Sequence, residues 1–116
     1  MIHMSHTHVF YRDEDVGRLY VPRTEAAINA GLASGLPPAE GDEQRIALLL
    51  VDPQVDFIHT DGALTVPGAV DDTRRTIDWI FRNAERITAI AASLDSHIPT
   101  QIFYPTWWID AQGRHP

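Results

Sequence analysis

From Ile46 to Val51 every position is apolar, with no alternation, and the run stops at Asp52-Pro53. Such a run is too short for a stable helix, and a continuous apolar stretch closed by a turn signal reads as a strand buried on both faces. Strands of this kind belong to parallel sheets covered by helices. A proline ends the ladder and biases the residue before it toward extended backbone, so Asp52 is expected to stand, extended, at the carboxyl edge of the sheet. In open α/β sheets ligands bind at that edge.

The pattern changes after the strand. Ile58 to Gly68 carries Gly62 and Gly68 with small apolar residues between them, a long loop for a strand-to-helix connection and the kind that builds sites. Asp71 or Asp72 is expected to cap a helix. Ile77, Ile80, Phe81 and Ala84 then recur at helical spacing, while Arg74, Arg75, Asp78, Arg82 and Glu85 fall largely on the other side. A second β-type run, Ile87 to Leu94, ends in Asp95-Ser96-His97 and Pro99. Strand, helix and strand in this order predict a βαβ unit with parallel strands and a right-handed crossover. The carboxyl ends of both strands then lie on one side, so Asp52, Asp95 and His97 are expected to face one cleft.

Residues 1–44 read as an N-terminal extension and linker, and residues 45–116 as the part that belongs to a folded domain. Within the extension, Phe10, Tyr11, Val16, Leu19 and Tyr20 alternate with charge, which suits a short strand or an arm lying on another surface. Pro22 precedes an Ala-rich helical stretch, Thr24 to Ala33, and Leu36 to Asp42 is a linker rich in proline and glycine. An arm of this kind more often serves packing or oligomerisation than catalysis.

Composition narrows the partners. The chain of 116 residues has a net charge of -7, which argues against nucleic acid, since phosphate binding needs a concentrated basic surface. No apolar run approaches a membrane span and no signal-peptide pattern opens the chain, so a cytoplasmic location is the expectation. There is no cysteine, and all nine basic residues are arginine. These 116 residues therefore offer no thiolate nucleophile and no lysine amine.

The candidate chemistry sits at the strand ends. Asp-x-His directly after a strand, Asp95 and His97, offers carboxylate oxygen and imidazole nitrogen to a hard or borderline cation such as zinc, manganese or iron. Two ligands do not close a site, and a solvated loop with Asp95 bonding its own backbone explains the spacing equally well. His59 and His115 are the candidate further ligands. His3, His6 and His8 form a short-spaced histidine group in the extension, where nothing flanking them would fix their imidazoles.

Three stretches taken together, Leu49-Leu50-Val51-Asp52-Pro53-Gln54-Val55-Asp56-Phe57, Gly62-Ala63-Leu64-Thr65-Val66-Pro67-Gly68 and Ser93-Leu94-Asp95-Ser96-His97, resemble the nicotinamidase and isochorismatase-like cysteine hydrolases over residues 45 to about 100. The resemblance implies a three-layer α/β/α fold with a mostly parallel sheet and hydrolysis of a small-molecule amide by an Asp-Lys-Cys triad. Asp52 matches the aspartate that accepts the thiol proton. Asp95 and His97 match metal ligands. Phe57 matches an aromatic beside the substrate ring, Gln54 would lie near the substrate, and Gln54 and Asp56 would support the site residues around them. A homo-oligomer is implied for the full-length form. The triad's lysine and cysteine lie beyond the Asp-x-His motif in the family, and this chain has neither residue type. The expectation is therefore an N-terminal portion of a longer hydrolase. The alternatives are an isochorismatase-type enzyme acting on a vinyl ether, and an inactive binding module on the same scaffold.

Overall fold

A computed structural model describes residues 11–116; His3, His6, His8 and Phe10 lie outside the described residues. Two strands, β1 (Ala47–Leu50) and β2 (Ala89–Ala92), pair in parallel with Ala47 opposite Ala89 and Leu50 opposite Ala92. Between them lie a one-turn helix, α2 (Val55–Ile58), and a helix of four turns, α3 (Ala69–Asn83). Upstream, α1 spans Thr24–Leu32, one residue shorter than the expected stretch. The architecture is mixed α/β, with the strand-helix-strand order that the apolar pattern predicts. Among the described residues no helix is long and apolar enough to cross a membrane.

The strand ladder is extended at both ends by hydroxyl side chains. At the amino end Thr88 Oγ1 donates to Asp42 Oδ2 (2.6 Å) and accepts from the Ile46 N–H (3.1 Å), while the Thr88 N–H donates to the Ile46 carbonyl (2.8 Å). At the carboxyl end the Ser93 N–H still reaches the Leu50 carbonyl (2.9 Å), and there the backbone pairing stops. It stops because Asp52 leaves the strand conformation. Its φ is +52°, the sole positive φ outside glycine among the described residues, so the extended conformation expected from Pro53 is corrected. Proline does disfavour right-handed helical backbone before it, but Asp tolerates the left-handed region better than most residues. Here that conformation closes a tight turn in which the Gln54 N–H donates to the Asp52 carbonyl (2.7 Å).

Helix α3 begins two residues before Asp71. Gly68, at φ +84°, is the residue that turns the chain into it, and no side chain caps the terminus, so neither Asp71 nor Asp72 is the cap. Both lie in the first turn, where the positive end of the helix dipole favours carboxylates. Each is bridged to the next turn, Asp71 to Arg74 (2.9 Å) and Asp72 to Arg75 (2.7 Å), and Asp78 pairs with Arg82. These exposed pairs contribute about 0.2–0.5 kcal/mol each and chiefly keep the outer face solvated.

The loop between α2 and α3 folds back on α2. The Leu64 and Val66 N–H groups donate to the carbonyls of Asp56 (3.1 Å) and Phe57 (2.9 Å), and Thr65 Oγ1 lies within bonding distance of the His59 carbonyl (2.9 Å). Gly62 is required there by close approach. A Cβ on it would stand 2.8 Å from the Val55 carbonyl oxygen and closer still to that of Asp56.

The described part of the extension lies along α3 of its own chain. Arg74 Nε donates to the Asp13 carbonyl (3.0 Å), and the Tyr11 ring sits 5.9 Å from that of Phe81. Gly17, at φ +83°, passes so near Val70 that a Cβ would stand 2.7 Å from Val70 Cγ2. A 3-10 turn at Asp13–Asp15 and no strand marks this segment. Burial and the hydrogen bond to Asp13 push the Tyr11 phenol up to about 12.

Partial cover is confined to one face of β1. Leu48 and Leu50 are half-buried, whereas Ala47 and Leu49 on the opposite face are exposed, Leu49 by 64%. Every residue of β2 is exposed, and no described hydrophobic residue is fully buried. The Cα radius of gyration is 19.2 Å, against about 13 Å for a compact domain of ~100 residues. A parallel sheet is ordinarily covered on both faces, and neither strand carries a proline or charge to blunt its edge.

Two outcomes follow from this geometry. The isolated chain self-associates at micromolar concentration, read as light scattering above the monomer value; a compact monomer melting cooperatively would contradict it. Gly62→Ala costs about 1–3 kcal/mol by forcing backbone apart, whereas Gly31→Ala in α1, where nothing lies within 4 Å, is neutral or stabilising. Comparing the denaturation midpoints of the two variants checks this.

Candidate functional site

Beyond the last backbone pair, the tails of β1 and β2 are cross-linked by side chains. Ser93 Oγ donates to Asp52 Oδ1 (2.6 Å) and accepts from the Asp52 N–H (3.1 Å). Two residues further on, Gln54 clamps the backbone of Asp95 from both sides: its Oε1 accepts from the Asp95 N–H (2.8 Å) and its Nε2 donates to the Asp95 carbonyl (3.2 Å). A primary amide matches the backbone N–H and C=O of one residue donor for acceptor, so this clamp prolongs the sheet where the main chain has diverged. The Gln54 amide is thereby directed to Asp95.

Asp95 in turn holds His97, with Oδ2 2.8 Å from Nε2. The imidazole is packed edge-on against Phe103, with ring centroids 4.8 Å apart and planes at 88°, and its Nδ1 is buried with no hydrogen-bond partner among the described residues. The hydrogen bond to Asp95 is the main cause of a raised His97 pKa, with burial acting in the opposite direction and the Asp95 charge, Gln101 and Asp56 adding to the rise. The carboxylate favours imidazolium, so the bond is strongest when His97 is charged.

Gln54, Phe57, Asp95 and His97 line one open cleft of about 480 Å³, together with Leu64 and Tyr104. Its lining combines apolar and aromatic residues with polar ones, and its size is in the small-molecule range. With Asp56, which also lines it, five of the residues singled out from the sequence are thus brought together. Asp52 stands beside this cleft, outside its lining, with one carboxylate oxygen turned to Ser93. The two further histidines go elsewhere. His59 lines a separate cavity of about 850 Å³ between the extension and α2, and its Nδ1 accepts from the Asp61 N–H (3.0 Å). The His115 ring bonds the Trp108 carbonyl (2.8 Å) in the C-terminal segment.

Asp95 and His97 are the right donor types for a divalent cation, but in this arrangement they bond each other. Among the described residues no group of three His, Cys, Asp or Glu side chains could hold an ion. The pair is at most part of a ligand set and does not by itself fit a metal.

Ser93 and the ring partner Phe103 were not among the sequence candidates. A serine two positions before Asp95 is visible in the sequence, but its pairing with a residue 41 positions upstream is not. Comparisons of this chain with family models, curated proteins and solved structures gave no match.

Asp95→Asn lowers the His97 pKa toward the ordinary 6.5, because the amide leaves the imidazolium without a charged partner. A raised folded-state value means that the pair's contribution to stability is full below about 6.5 and fades as pH rises through the folded value. An NMR titration of the His97 ring in both forms checks the direction; identical titrations would show that Asp95 does not govern it.

Proposed function

We propose that residues 45–116 are part of an isochorismatase-like hydrolase domain of the three-layer α/β/α type, acting on a small-molecule amide. One observation carries the reading: stretches about 40 residues apart that together resemble this family are cross-linked at the carboxyl edge of a parallel strand pair, Asp52 to Ser93 and Gln54 to Asp95. A small-molecule cleft beside Asp52, with Phe57 in its wall, supports the same reading.

In this reading Asp52 is the general base. Oδ1 accepts from Ser93, which leaves Oδ2 to take the proton of a cysteine thiol, and a lysine ammonium steadies the thiolate. The thiolate sulfur attacks the amide carbonyl carbon, the C–N bond breaks as the leaving nitrogen takes up a proton, and water then cleaves the thioester to release the acid. The cysteine and lysine come from polypeptide outside these 116 residues, which contain neither. Phe57 packs against the substrate and Gln54 fixes the loop that carries Asp95. In a complete site with further ligands, Asp95 and His97 would exchange their mutual bond for two bonds to a divalent ion, zinc, manganese or iron, which would supply a Lewis-acid anchor for the substrate; no step above depends on it. The same reading makes the complete enzyme a cytoplasmic homo-oligomer with no nucleic-acid partner.

A second reading, an inactive binding module, is favoured by the absence of cysteine and lysine. The 116-residue chain alone is expected to show no hydrolysis of nicotinamide under either reading. A form that includes the missing lysine and cysteine is expected to hydrolyse it, and Asp52→Asn there to lower kcat by about 10²–10⁴, since an amide cannot accept the thiol proton. Unchanged turnover in that variant would remove Asp52 from the mechanism. Binding without turnover in the wild-type form would select the module. Elemental analysis of the same form is expected to find a divalent ion that Asp95→Ala and His97→Ala lose.

A further inference from the structure

We infer that Ser93 is a positioning residue for the Asp52 carboxylate, one that sets both its rotamer and the left-handed backbone beneath it. The inference rests on the reading of Asp52 as a base for its meaning, and on geometry alone for its substance.

The Ser93 hydroxyl makes two bonds to one residue. It accepts from the Asp52 N–H at 3.1 Å and donates to Asp52 Oδ1 at 2.6 Å, a short, charge-assisted bond. Main chain and side chain of Asp52 are thereby held from the same oxygen. That closes a ring in which φ and the side-chain torsion can no longer vary independently. Left-handed backbone is unfavourable for a residue with a Cβ, and residues kept in it persist only where their surroundings over-determine them. Here three bonds do so, the two from Ser93 and the turn bond from the Gln54 N–H to the Asp52 carbonyl. Ser93 itself is held by the last rung of the ladder, its N–H on the Leu50 carbonyl, so the position of its hydroxyl is inherited from the strand pair.

The chemical consequence is an asymmetric carboxylate. With Oδ1 occupied by a hydroxyl donor, a proton arriving at Asp52 goes to Oδ2, and the hydroxyl bond turns that oxygen in one fixed direction. A freely rotating carboxylate would present either oxygen and would lose orientation each time it did so. Threonine keeps the hydroxyl on the same carbon and is expected to substitute. Alanine removes both bonds.

The test uses the full 116-residue chain, isotopically labelled and sedimented so that self-association does not interfere, in wild-type, Ser93→Ala and Ser93→Thr forms. Two signals are read: the Asp52 ¹³Cγ resonance, which reports the carboxylate itself, and exchange of the Asp52 amide proton. In Ser93→Ala the ¹³Cγ line is expected to move to a rotamer-averaged position, and Asp52 amide exchange to rise by about two- to tenfold, as loss of one hydrogen bond implies. Exchange of the Thr88 amide, which reports the strand pair, is expected to stay the same, and Ser93→Thr to restore both Asp52 signals. An unmoved ¹³Cγ line in Ser93→Ala overturns the inference. So does a change at Asp52 accompanied by equally faster Thr88 exchange, which would assign Ser93 to the strand pair as a whole. Neither signal requires amide hydrolysis, so the inference and the hydrolase reading fail separately.

Discussion

A two-stranded parallel sheet is marginal by itself, and in this chain its pairing depends on what happens where the backbone ladder runs out. Each strand contributes four residues, and both ends of the pair are tied by a hydroxyl that donates to a carboxylate while accepting a backbone N–H. Thr88 does this between Asp42 and Ile46, and Ser93 does it with Asp52 alone. The Gln54 amide then adds a further rung by pairing with the backbone N–H and C=O of Asp95. Remove these ties and the strands retain only short runs of slanted parallel bonds, with little apolar cover to keep them together.

The same ties decide what the carboxyl edge can do. Asp52 and Asp95 are close in chemistry but differ in engagement. Asp52 is held by a neutral hydroxyl and keeps one oxygen for other partners, whereas Asp95 is bonded through its side chain to His97 and through its backbone to Gln54. One carboxylate is thus oriented without being neutralised, and the other orients an imidazole. His97 completes the arrangement with a buried Nδ1 that has no hydrogen-bond partner among the described residues, on a ring packed edge-on against Phe103.

The extension adds a second layer of constraint. It runs along α3 through the Arg74 bond to Asp13 and the tight passage of Gly17 by Val70, which places it on this chain's own helix. Its described residues do not cover the sheet. Leu49 on β1, Val51 just past its end, Ile90 on β2 and Leu94 beyond it stay more than half exposed. The chain therefore carries a formed site edge on an incompletely covered sheet.

The local order is legible in the residues themselves: an apolar run ending at Asp52-Pro53, an amphipathic helix with Ile77, Ile80 and Phe81 on one side, and a second run ending before Asp95. Hydrophobic periodicity is a local property, and it was enough to expect both strand ends at one edge with Asp52, Asp95 and His97 near each other; Asp95 and His97 line one cleft and Asp52 stands beside it. Other features required tertiary structure because they depend on register and on the facing of single atoms. The left-handed Asp52 contradicts the extended bias of a pre-proline residue, and it is held by a serine 41 positions away. The start of α3 at Gly68 follows from how the preceding loop folds back on α2, which local capping preference at Asp71 does not register. Asp95 and His97 bond each other because the Gln54 clamp and the Phe103 ring fix the loop around them, a choice among ligand, turn and partner that spacing leaves open.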